Sequence, residues 1–188
     1  MAVLSGMLAR ASILAFAAWL ATGPGLAAQA VRASEYHLKA VFLFNFAQFV
    51  DWPAAAFADS ETPFVIGILG EDPFGDFLDQ TVRGEQLRGR PFQVQRYRSV
   101  DEIKTCHILF INRPDGDRVE GILSRLRDRP ILTVSDEDGF AERGGMVHFV
   151  NDRNRIRLKI NLAAAEAAKL TISSKLLRVA EIAAPRGR

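Results

Sequence analysis

Three short apolar runs constrain this chain more than anything else in it. They are "FVIGILG" (Phe64–Gly70), "HILFIN" (His107–Asn112) and "PILTVSD" (Pro130–Asp136). Each has strand length, and each is rich in β-branched residues. A run apolar at consecutive positions reads as a strand buried on both faces. The segments between them have a helical pattern. "DPFGDFLDQTVR" (Asp72–Arg83) offers Asp72 as an N-cap and Pro73 at the first helical position. "DRVEGILSRLRD" (Asp117–Asp128) sets Val119, Ile122, Leu123 and Leu126 on one face. Buried strands that alternate with helices predict a mainly parallel sheet with helices on both faces. The expected fold is therefore an α/β/α sandwich of the Rossmann-like kind.

The remaining segments fit around that sheet. "PFQVQRY" alternates apolar and polar residues, as a half-exposed or edge strand does. "GEQLRGR" is a turn-rich connection, and "SVDEIK" has the composition of a short helix. "MVHFVN" and "RIRLKIN" flank "DRN" and predict a β-hairpin. In its second strand Ile156, Leu158 and Ile160 alternate with Arg155, Arg157 and Lys159, so one face is wet. A C-terminal helix follows in "LAAAEAAKLTISSKLLRVAEIA", interrupted near Thr171–Ser174.

Ahead of the first strand stands "EYHLKAVFLFNFAQFVDWP" (Glu35–Pro53). A helix is expected from an N-cap at Ser34 to about Asp51, with Pro53 ending it. A helix apolar on nearly every side is buried on several sides. Phe42, Asn45, Phe49 and Trp52 are expected to form a helix-packing or partner contact. Asn45 is expected to hydrogen-bond to backbone or to another chain, because an unpaired buried amide costs ~1–3 kcal/mol.

Residues 1–30 read differently. Arg10 is their only charge, an apolar run covers Ala11–Ala21, and Ala28-Gln29-Ala30 closes the segment. A basic start, a short apolar run and an A-x-A end describe a secretory signal peptide. The run is shorter than the ~20 residues of a membrane-spanning helix. Cleavage after Ala30 leaves residues 31–188 as a single exported domain, placed in the periplasm. Of the 188 residues, 24 are Lys or Arg and 22 are Asp or Glu, a net charge of +2 that excludes a basic nucleic-acid binder. The one cysteine, Cys106, cannot form an internal disulfide. It reads as a small buried hydrophobe; an intermolecular disulfide is the alternative and requires it at the surface.

No segment assembles a catalytic set. "GILGEDPFG" sits where phosphate loops occur, but it lacks G-x-G-x-x-G, and Glu71 and Asp72 would repel phosphate. Cys106 and His107 are strand neighbours, so they are expected to point to opposite faces. His37, His107 and His148 fall on three different elements, with no metal-ligand spacing. No catalytic residue, metal or cofactor is expected, which favours a binding or regulatory protein.

Taken together, "EYHLKAVFLFNFAQFVDWP", "FVIGILGEDPFGDFL", "LRGRPFQV", "CHILFIN", "ILTVSDEDGFAERGGMVHFV" and "RIRLKINLAAAEAAKLTISSKLLRVA" resemble, in order, the YfiR family of exported bacterial regulators. The resemblance implies a periplasmic α/β/α domain, commonly a homodimer. It implies a repressor of cyclic di-GMP signalling and biofilm formation. Such a protein binds the periplasmic domain of an inner-membrane diguanylate cyclase, and an outer-membrane lipoprotein can sequester it. Some chains of the family are associated with a sensor kinase. Better-studied members carry several cysteines, so a disulfide-gated switch does not carry over to a chain with only Cys106. The alternative function is a periplasmic small-ligand sensor feeding a histidine kinase or transport system. Its ligand would lie in the crevice near Gly70–Asp72, Asn112–Asp115 and Asp136–Gly139.

Overall fold

A computed structural model describes the backbone of residues 24–112, 119–153 and 155–183, with side chains from residue 31 onward. The chain divides into Met1–Ser34 and Glu35–Arg188. In chain order the elements are α1 (Pro24–Phe49), β1 (Val50–Asp51), β2 (Phe64–Gly70), α2 (Asp76–Val82), β3 (Gln86–Leu87), β4 (Arg90–Tyr97) and β5 (Ile108–Asn112). Then come α3 (Val119–Leu126), β6 (Leu132–Ser135), β7 (Val147–Asp152), β8 (Arg155–Ile160), α4 (Leu162–Ala167), β9 (Thr171–Ile172), α5 (Ser174–Leu177) and β10 (Ala180–Ile182).

The three apolar runs lie at the centre of one eight-stranded sheet of order β10-β8-β7-β6-β5-β2-β4-β3. Strands β4, β2, β5, β6 and β7 are parallel neighbours. β8 runs antiparallel to β7 and the short β3 antiparallel to β4, while β10 runs parallel to β8. The expected α/β fold with a mainly parallel sheet is present.

Period-two alternation divides each central strand between two cores. Ile66, Ile68, Ile108, Phe110, Leu132 and Val134 join Leu43, Phe46 and Phe149 in the larger one. Leu69, Leu109 and Ile111 face the other way, against Val119, Ile122 and Leu126 of α3 and against Phe140. Full burial of a side chain such as Phe46 or Phe110 stabilises the fold by about 1.5–3 kcal/mol. α1 covers one face and α3 the other.

Four local expectations change. α1 does not start at Ser34; it runs continuously from Pro24, because Leu26–Ala30 are mostly good helix formers. α2 starts at Asp76 rather than Asp72. The Asp72 carboxylate accepts from Phe74 N–H (2.8 Å) and Gly75 N–H (3.2 Å), closing a separate turn, and Gly75 at φ 52° breaks continuity before the helix. "SVDEIK" forms only a single 3-10 turn, Val100–Glu102. The C-terminal segment is not one interrupted helix. It breaks into α4, β9, α5 and β10, because Thr171-Ile172 pair with β1 and Ala180–Ile182 pair with β8.

Candidate interaction surface

The inner side of α1 is defined by Ala40, Leu43, Phe46 and Ala47, all buried. Of the four residues expected at a helix-packing or partner contact, three pack within the chain. Phe42 lies 6.2 Å from Phe46 and 5.8 Å from Phe149, centroid to centroid. Phe49 packs on the core. Trp52 donates its indole N–H to His107 O at 3.1 Å and meets Phe64 edge-on at 4.9 Å. Asn45 is half-buried, and its amide forms no hydrogen bond among the described residues. The expected bond to backbone within the chain is therefore absent, because Asn45 sits on the outer flank of the helix.

That flank is the candidate site. Leu38 is 48% exposed and Val41 38%, and exposed Gln48 continues the line beyond Asn45. Steps of three, four and three residues set Leu38, Val41, Asn45 and Gln48 in one stripe along the helix. Two aliphatic side chains and an unpaired amide are suited to receive a partner's helix or loop.

A buried charge fixes the stripe in place. Lys39 is only 2% exposed. Its ammonium contacts Glu35 at 2.6 Å and Asp136 at 2.5 Å, and lies 4.3 Å from the Tyr36 ring centroid. Tyr36 also donates to Asp136 (2.9 Å), and Glu35 accepts from Asn151 (2.9 Å). Helix α1 is thus tied to the ends of β6 and β7. His37 stacks on Phe77 of α2 at 3.9 Å.

At the strands' carboxyl ends several polar groups are engaged within the chain. Asp136 holds Lys39 and Tyr36, Asn112 donates to Glu71 O (2.9 Å), and Asp72 also receives Arg96 (2.7 Å). The stretch 113–115 lies outside the described residues. A cleft of about 440 Å³ opens elsewhere, between the end of α3 and α4, over Leu126, Thr133 and Met146.

Cys106 and His107 do face opposite cores. Cys106 is 7% exposed, its thiol donates to Ile108 O (3.1 Å), and burial pushes it up to about 12. Gly67 leaves room for it: a Cβ there would stand 2.8 Å from Cys106 Sγ. An intermolecular disulfide needs this sulfur at the surface as a thiolate, and the fold denies both. Native Cys106 is expected to resist a thiol-labelling reagent until the protein is unfolded. Rapid labelling of the folded protein would contradict this burial.

His107 stacks between Phe57 (4.5 Å) and Phe64 (4.8 Å). Its Nδ1 accepts from Val65 N–H (3.0 Å), so Nε2 carries the proton and donates to Ala56 O (3.2 Å). With both nitrogens used, it is a structural clamp. Among the described residues, no cluster of His, Cys, Asp and Glu could hold a metal ion, and no helix is long and apolar enough to cross a membrane.

A family model described as DUF4154, YfiR/HmsC-like, matches residues 36–181. The chain belongs to the YfiR/HmsC-like family. The match spans the domain from Tyr36 of α1 to Glu181 of β10, so the stripe on α1 lies within the family's own domain. No curated protein matches the chain. Among solved structures it is similar to an ABC domain in complex with L-Trp from Streptococcus pneumonia, at 13% identity and a TM-score of 0.45. That likeness covers 64% of this chain and 55% of the other, so the chain spans about half the length of that structure.

The helix was legible in the sequence, and of the four residues singled out there Phe42, Phe49 and Trp52 pack against the core. Aromatic residues drew attention to Phe42, Phe49 and Trp52, while the exposed stripe uses Leu38 and Val41. The spacing of Leu38, Val41 and Asn45 was a usable signal, but only the sheet position shows which stripe faces out.

Proposed function

We propose that the protein is an exported, non-enzymatic regulator. The chain is cut after Ala30, and residues 31–188 form one periplasmic domain. That domain binds and represses the periplasmic part of an inner-membrane diguanylate cyclase. The observation that carries this reading is the YfiR/HmsC-like match over residues 36–181, a family of regulators rather than enzymes. The exposed, uncharged stripe on α1 supplies a contact surface of fitting chemistry. Repression requires tighter binding to the inactive state of the cyclase than to the active one. A homodimer and an outer-membrane lipoprotein that withdraws the regulator belong to the same proposal.

The contact is tested by replacing Leu38 and Val41 together with aspartate. Both are surface positions, so stability should change by no more than about 1 kcal/mol. Co-purification with a membrane protein that carries a periplasmic domain and a cyclase output domain should be lost. Undiminished co-purification of that partner would remove α1 from the interface. Recovery of no such partner by the unaltered protein would count against the regulatory reading itself.

A further inference from the structure

The eight-stranded sheet has two edges, and they are built differently. Strand β3 at one edge is two residues long, exposed at Gln86 and folded back as a hairpin with β4. Short polar edges of this kind resist pairing with other chains. Strand β10 at the other edge has apolar residues at its outward backbone positions. Glu181 lies in register with Lys159 of β8, and Ala183 N–H donates to Ile160 O (2.9 Å). In an alternating strand, Glu181 and Ala183 therefore bond toward β8, and the N–H and C=O groups of Ala180 and Ile182 point away from it. The side chains bordering this open edge are apolar and exposed: Val179 at 73% and Ile182 at 52%.

The rim around the edge is basic. Asp152 is held by Arg157 (2.9 Å), and Lys159 is shared between Glu142 (3.3 Å) and Glu181 (3.6 Å). Arg155, Lys175 and Arg178 are exposed and have no carboxylate partner among the described residues. A second copy of the chain would bring two such rims together, and like charges across an interface oppose association.

We propose that the β10 edge is a docking site for an extended acidic segment of another protein, which adds a ninth strand to the eight-stranded sheet. Backbone bonds to Ala180 and Ile182 supply the pairing. Ile182 receives an apolar residue of the incoming strand, and Arg155 and Arg178 select for its carboxylates. This surface is separate from the α1 stripe and does not depend on the identity of a cyclase partner.

The test is an NMR titration of the isotopically labelled protein with two short peptides, one alternating valine and glutamate, the other valine and lysine. The acidic peptide should shift and protect the Ala180 and Ile182 amides. It should bind at least about tenfold more tightly than the basic one. Ile182→Pro removes an outward N–H and should abolish binding while the rest of the spectrum persists. If that variant does not fold, Arg155→Glu with Arg178→Glu should reverse the peptide preference. Four results would overturn the proposal: equal binding of both peptides, no binding of the acidic one, shifts confined elsewhere, or self-association through β10.

Discussion

Replacing Lys39 with methionine should destabilise the fold by about 3 kcal/mol, because it leaves carboxylates beneath α1 without their cation. The side chain of Lys39 is 3% exposed, while those of Glu35 and Asp136 keep 23% and 19% exposure. Water can therefore solvate the carboxylates in part, which keeps the loss below the upper end for buried pairs. The Tyr36 hydroxyl retains Asp136, but among the described residues Lys39 is the only cation paired with it. A shift in the urea midpoint at constant slope is the expected reading. Adding Asp136→Asn to the Lys39→Met variant should restore part of the loss. A single-variant loss below about 1 kcal/mol would place the network with ordinary surface pairs.

Acidification should weaken the fold through His107. Burial, the largest cause, holds this imidazole down at about 4, against an ordinary value of 6.5. Above pH 6.5 it is neutral in both the folded and unfolded chain and makes no difference. As pH falls below that, the unfolded chain takes up a proton that the folded chain refuses. Stability is lost progressively until the folded imidazole also titrates near 4. The full window is worth about 3 kcal/mol. Burial lowers His148 as well, so it weakens the fold in the same direction. In His107→Gln the acid-dependent loss should shrink by most of that amount, measured as unfolding free energy at several pH values. An unchanged pH profile would show that His107 does not carry the effect.

The same two residues mark what the sequence disclosed and what it did not. The central strands were legible because a strand buried on both faces has no polar position to disguise it. Cys106 and His107 were legible as neighbours on opposite faces for the same reason. That His107 would clamp Ala56 and Val65 was not, since Val65 stands in β2 and Ala56 in the turn before it, far from His107 along the chain. Lys39 stands near the start of the apolar stretch Glu35–Pro53, four residues after Glu35. Its second carboxylate, Asp136, lies far along the chain and meets it only in the folded sheet. The interruption near Thr171–Ser174 was legible, but the strands Thr171-Ile172 and Ala180–Ile182 were not, because Ala-rich composition favours helix while open sheet positions beside β1 and β8 favour strands. The side of α1 on which Asn45 lies was not legible, because a helix apolar on all sides does not declare which side is outermost.

Cellular cyclic di-GMP after deletion of the gene tests the regulatory function most directly. The level should rise, and the unaltered gene should return it to normal. The version carrying Leu38→Asp and Val41→Asp should fail to do so despite normal abundance. An unchanged level on deletion, in cells where the protein is made, would contradict repression of a cyclase.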